Sequence, residues 1–166
     1  MPYEAPHGRR LNAIGALAPF GPAPRLVSRT RLASEGTLDS AAFLAFVCGD
    51  VAGLPAPHDS LDALPRDYRR ARDCVVVLDN YQVHKSALVA AARPRLADAG
   101  VVFYELPPYS PHLNRMEPEW HAVKYRGSPG ARTRSHTTGA ALQATVDAAL
   151  THRAQAYRAL HLRQTA

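Results

Sequence analysis

The order of elements along the sequence predicts a mixed α/β fold, a sheet flanked by helices. Two observations carry that reading. An unbroken apolar run, Cys74 to Leu78, stops on Asp79 and Asn80, and a second β-rich run, Val101 to Leu106, is closed by Pro107 and Pro108. Helical spacing of apolar residues follows each run, the strand–helix alternation of α/β proteins. At 166 residues and 46% hydrophobic, the chain is long enough for one domain with its own core, residues 1–166. A net charge of +6 and a pI near 9.7 suit a polyanionic partner such as nucleic acid, with a solvated basic surface as the alternative. The longest apolar runs, such as Ala87 to Ala92, fall far short of the roughly 18–20 residues of a membrane span. Met1 to Pro6 has no apolar signal core, so the expectation is a cytoplasmic protein with no membrane partner. Cys48 and Cys74 form neither a disulfide framework nor a zinc signature and read as small core residues.

Residues 1–9 are polar and bear Pro and Gly, an extended lead-in rather than an element. Arg10 to Ala18 reads as a strand, and the turn formers from Pro19 to Pro24 lead into a second strand, Arg25 to Leu32, that returns antiparallel. Capping residues Thr37 to Ser40 precede a helix with Phe43, Leu44 and Val47 on one face. Residues 49–65 are rich in Pro, Gly and Asp and read as a loop or insertion. The run 74–79 is expected to be a strand buried on both faces, because continuous apolar runs are typical of doubly covered strands. A helix follows over about 85–98, with Leu88, Ala92 and Leu96 four apart; Pro94 is expected to kink or split it and Gly100 to end it. After the strand 101–106, residues 107–113 form a rigid turn into the helix that carries Glu117. Lys124 to Arg134 is a basic loop broken by Gly and Pro. The last helix, 138–160, is amphipathic through Leu142, Val146, Ala149, Leu150, Tyr157 and Leu160.

Two carboxylates stand out. Asp79 ends a buried run, where a charge requires a partner, a hydrogen bond or a metal; the alternative is a solvated turn Asp. Ligands of open α/β sheets bind outside the carboxyl ends of strands, which is where Asp79 falls. Glu117 has two rival explanations: as the reaching partner of a capping box begun by Asn114, or as the cap itself, with Pro118 in the first helical position. Glu119, about 200° around the helix from Glu117, cannot easily share a metal with it and is expected to be solvated. Trp120 lies four from Met116 and three from Val123, a core spacing weighed against base stacking. His84 either assists DNA binding or opens the next helix. The loop from Lys124 either neutralises phosphates or is simply solvated.

The segment Asp79, Asn80, Tyr81, Gln82, Val83, His84 and the segment Leu106 to Lys124, with its Pro107-Pro108-Tyr109-Ser110-Pro111 turn and its Asn114–Glu117 pair, closely resemble the DDE endonuclease domain of mariner-like bacterial insertion-sequence transposases. The separation of Asp79 and Glu117, 117 − 79 = 38, is similar to that family's spacing of second and third acids. Leu11 to Leu17 and Thr37 to Phe43 also resemble the family's second strand and first helix, so the resemblance spans about 8–124. It implies a ribonuclease H-like mixed sheet flanked by helices. It also implies Mg²⁺ or Mn²⁺ ions held by Asp79 and Glu117, which activate water or a DNA 3′-hydroxyl for in-line attack on a phosphodiester. Asn80, His84, Lys124, Arg126, Arg132 and Arg134 are the candidates for contact with DNA, and Pro107, Pro108, Pro111, Asn114 and Trp120 the structural residues around the turn.

Arg115 stands where the family carries Pro, and Pro118 departs from its pattern. The family's first catalytic Asp lies on a central strand ahead of the one placed at 10–18, and residues 1–9 do not read as that strand. The expectation is therefore an amino-terminally truncated catalytic domain lacking the first, central strand and inactive by itself. Self-association or a complementing upstream fragment would complete it. The substrate is DNA, as transposon ends and target, and the chain is associated with the bacterial nucleoid when bound. Two other readings stay open: a non-catalytic nucleic-acid-binding remnant, and a distinct metal-dependent phosphohydrolase on the same fold.

Overall fold

A computed structural model describes residues 10–20, 23–127 and 138–164. The chain divides into two compact units, Met1–Leu38 with Arg115–Ala166, and Asp39–Asn114. The sequence suggests one continuous domain. What divides it is that the amino-terminal hairpin finds its packing partners in the carboxyl-terminal helices, leaving the middle of the chain to build a core of its own.

In the first unit, β1 (Leu11–Ala18) and β2 (Arg25–Leu32) pair antiparallel from Leu11↔Leu32 to Ala18↔Arg25, the expected hairpin. Strand alternation puts Leu11, Ala13, Gly15 and Leu17 on one face with Leu26, Ser28, Thr30 and Leu32. Two helices join this unit, α3 (Met116–Ala122) and the long α4 (Gly139–Gln164). Leu26, Met116, Val123 and Leu150 are buried together, with Leu17, Trp120, Val146, Ala149 and Tyr157 packed against them. Trp120 and Met116 lie directly over Gly15. A Cβ there would stand 2.7 Å from Met116 Cε and 2.9 Å from Trp120 Cζ2, so only glycine lets the helix approach this closely. Thr30 on β2 donates to Asp147 Oδ1 (2.6 Å) and accepts from Gln143 Nε2 (3.2 Å), fixing α4 along the strand. The helix expected over 138–160 is thus present; the Leu160 side chain lies outside the described residues.

In the second unit, α1 (Ser40–Phe46) is capped by Asp39, whose side chain accepts from the Ala42 N–H at 2.9 Å. It buries Phe43, Leu44 and Phe46. The 49–65 stretch, read as a loop or insertion, contains short helical turns at Val47–Val51 and His58–Ala63, and its Leu54, Leu61 and Leu64 are buried. Arg95 ties it down by donating to the carbonyls of Leu64 (2.9 Å) and Pro65 (2.7 Å). β3 (Cys74–Leu78) and β4 (Val101–Glu105) pair parallel, Cys74 opposite Val101 and Leu78 opposite Glu105. Between them runs α2 (Ala87–Asp98), capped by Ser86 and followed by Gly100 at φ +82°.

Three expectations for this unit are corrected. β3 is not buried on both faces: Val75 is 63% exposed and Val77 54%, beside exposed Val102 and Tyr104 on β4. Alternate residues of a strand face opposite ways, and an apolar run does not state how many layers cover it. Of the two outcomes expected of Pro94, a kink or a split, the split does not occur: α2 runs unbroken from Ala87 to Asp98, since Pro94 removes a single bond on an exposed stretch where water can satisfy the Ala90 carbonyl. The inward face of α2 is Val89 and Leu96, with Leu88 exposed.

Among the described residues the strands form two separate two-stranded sheets, β1–β2 and β3–β4. The mixed α/β class follows from the sequence. No helix among the described residues is long and apolar enough to cross a membrane.

Candidate functional site

Asp79 is the first residue past β3, and the ladder continues one bond further through the Leu106 N–H donating to the Leu78 carbonyl (2.8 Å). Its carboxylate is held by its own loop. Oδ1 accepts from the Tyr81 N–H at 3.1 Å and lies 3.1 Å from His84 Nε2, while Oδ2 has, among the described residues, one long contact, 3.5 Å, from Asn114 Nδ2. The side chain remains 46% exposed. Asn80 straps the ends of the two strands: its Nδ2 donates to the Leu106 carbonyl and its Oδ1 accepts from Lys85 Nζ, both at 2.9 Å. The turn expected at 107–113 has Tyr109 at φ +57°, fully exposed, and a short helical turn at Pro111–Leu113 that ends on Asn114. The second unit thus brings together Asp79, Asn80, His84 and the turn of Pro107, Pro108, Pro111 and Asn114.

His84 sits on the turn Gln82–Lys85, its side chain 14% exposed, its ring centroid 4.5 Å from that of Phe43. Burial holds its pKa below the ordinary imidazole value, against the opposing pull of Asp79, so the ring is neutral at neutral pH. With Nε2 on Asp79 and Nδ1 buried, it presents no donor to a phosphate.

Glu117 stands on α3 in the first unit, inside the helix and not at its cap. The helix begins at Met116 after Arg115, with no side-chain cap. Asn114 donates its side-chain amide to Asp79. Pro118 is then the third helical residue, where the N–H has no intrahelical partner in any case. Glu117 is left exposed in the first turn, where a carboxylate complements the helix dipole. Lys124 is exposed on the helical turn Val123–Gly127; the Arg126 side chain, Arg132 and Arg134 lie outside the described residues.

Glu119, expected to be solvated, is 4% exposed. It accepts from Arg153 Nε and Nη2, the latter at 2.9 Å, and from the Tyr157 hydroxyl at 2.8 Å. The Arg153 hydrogen bonds hold its carboxyl below the usual glutamate range. Arg153 and Tyr157, four apart, share a face of α4, a spacing visible in sequence; that Glu119 is their partner is not. Trp120 packs into the core beside this clamp.

A family model described as DDE superfamily endonuclease matches residues 3–138, most of the chain. The chain belongs to the DDE superfamily endonucleases. No curated protein and no solved structure matches it. Membership of the DDE superfamily supports a transposase-like nuclease function, and endonuclease domains of this family act on DNA and are generally dependent on divalent metals. The donor chemistry fits such an ion: Asp79 and Glu117 offer exposed carboxylate oxygens, the hard ligands that Mg²⁺ and Mn²⁺ prefer. No group of three or more His, Cys, Asp or Glu side chains placed to hold a metal occurs among the described residues. Asp79 belongs to the second unit and Glu117 to the first.

Proposed function

We propose that this DDE superfamily chain is the catalytic domain of a mariner-like bacterial insertion-sequence transposase, with Asp79 and Glu117 as its second and third acids. The observation that supports this best is the setting of Asp79. It stands at the carboxyl end of a parallel strand, half-exposed, its carboxylate oriented by neutral donors rather than neutralised by Arg or Lys. Asp79 and Glu117 would hold Mg²⁺ or Mn²⁺, whose chemistry here is activation of water or a DNA 3′-hydroxyl and stabilisation of the leaving oxygen. The protein's own part is to orient the carboxylates, while Lys124, Arg126, Arg132 and Arg134 draw in the DNA backbone of transposon ends and target in the bacterial nucleoid.

The first acid of the triad would come, in this reading, from a strand outside the described residues that pairs beside β3. The two-stranded sheets support it, since such a sheet is marginal until further strands pair with it. Without that strand in place, the domain does not cut DNA. Full hydrogen-exchange protection of residues 74–79 in the monomer would count against this part.

Nicking of supercoiled DNA across a Mg²⁺ and Mn²⁺ titration tests the proposal. Metal-dependent nicking lost in Asp79→Asn is the expected result. The competing reading, a nucleic-acid-binding remnant, draws on the missing third ligand among the described residues and predicts salt-sensitive DNA binding with no cleavage under any condition. Metal-dependent hydrolysis of small phosphodiesters, with no preference for DNA, would point to a phosphohydrolase on the same fold.

A further inference from the structure

His84 is the residue of the Asp79 network that the proposed reaction leaves without a task. Its ring is packed against Phe43, and its turn is pinned where the Ser40 hydroxyl donates to the Val83 carbonyl at 3.3 Å. Nδ1 is buried with no hydrogen-bond partner among the described residues. A ring serving only to fill this space would bury that nitrogen at a cost that an apolar side chain avoids. What the imidazole adds is a donor. Nε2 lies 3.1 Å from a carboxylate oxygen, and two lone pairs cannot face each other at that distance, so Nε2 carries the proton. Asp79 Oδ1 then receives two hydrogen bonds, from His84 and from the Tyr81 N–H, and Oδ2 receives one contact at the limit of hydrogen-bonding distance.

We propose that His84 is a positioning residue: its Nε2–H clamps Oδ1 of Asp79 and so presents Oδ2 to a divalent cation. The inference rests on the reading of Asp79 as a metal ligand given above. Carboxylates that ligate metals are oriented by hydrogen bonds from outside the coordination sphere, and loss of such a partner lowers metal affinity about 10–100-fold.

The test uses the full chain and Mn²⁺ as probe, with free Mn²⁺ read by electron paramagnetic resonance. His84→Leu should weaken binding about tenfold or more, whereas His84→Gln, which keeps an N–H donor near the Nε2 position, should recover most of it. His84→Leu added to Asp79→Asn should have no further effect. Mn²⁺ affinity unchanged in His84→Leu but lost in Asp79→Asn would overturn the role of His84 and leave Asp79 standing. Absence of Mn²⁺ binding by the unaltered chain, or binding undiminished in Asp79→Asn, would overturn the metal reading of Asp79 and this proposal with it. Long-range ¹⁵N–¹H correlation of the imidazole needs no His84 variant and covers the case in which His84→Leu fails to fold. The Nε2–H tautomer is expected, and an Nδ1–H tautomer would overturn the assignment.

Discussion

Asp79 and Glu119 are both carboxylates with side-chain donors around them, and their environments differ in every respect that matters. Asp79 is half-exposed and held by a neutral imidazole, a backbone N–H and a distant amide. Glu119 is buried and neutralised by a two-point Arg153 contact, with the Tyr157 hydroxyl completing its hydrogen bonds. The first arrangement orients a charge without cancelling it, and so leaves the carboxylate able to take a cation. The second cancels the charge and joins α3 to α4. Acidic residues close to a family motif therefore divide by their partners: neutral donors and exposure mark a candidate ligand, a guanidinium and burial mark architecture.

The largest effect on stability should come from breaking the buried clamp. Arg153→Met leaves Glu119 charged and nearly inaccessible, with Tyr157 alone to satisfy it. The cost should be about 2–4 kcal/mol, reduced from that of a fully buried pair because the Arg153 side chain is 36% exposed. Asp79→Asn should change stability by less than about 1 kcal/mol, as expected for a half-exposed group. Urea denaturation of both variants checks this, and equal losses would break the contrast.

Next in size is Gly15→Ala. The new methyl must displace the end of Met116, which is flexible, and the edge of the Trp120 ring, which is not, for a loss of about 1–3 kcal/mol read from the same urea curves.

Acid titration sharpens the comparison by a smaller amount. Arg153 holds the Glu119 carboxyl below its ordinary value of 4.5. A group whose pKa is depressed by folding contributes stability that is complete above its unfolded pKa and is lost as pH falls through the folded one. The stability difference between the unaltered chain and Glu119→Gln should thus be full at neutral pH and shrink only below about pH 4.5. A difference constant down to strongly acid pH would show that the clamp does not act through charge.

Much of this molecule is legible in its sequence. Local signals fixed the elements: turn formers between β-rich runs gave the hairpin, Asp39 stands where a cap was expected, and Gly100 closes α2. The same local patterns, with their spacing of acids and prolines, carry the resemblance that the family match bears out at the level of the DDE superfamily. What local pattern cannot carry is which distant group meets which. Asn114 donates its amide to Asp79, 35 residues away, and Glu119 looked solvated and instead meets Arg153, 34 residues on. β3 reads as doubly buried because hydrophobicity records a residue's preference, while the number of layers over a strand depends on the rest of the chain. The sequence by itself determined the mixed α/β class, the strand that ends on Asp79 and the helix that carries Glu117. Only the tertiary structure decided that neutral donors hold Asp79 and a guanidinium holds Glu119, because an electrostatic environment is set by neighbours in space.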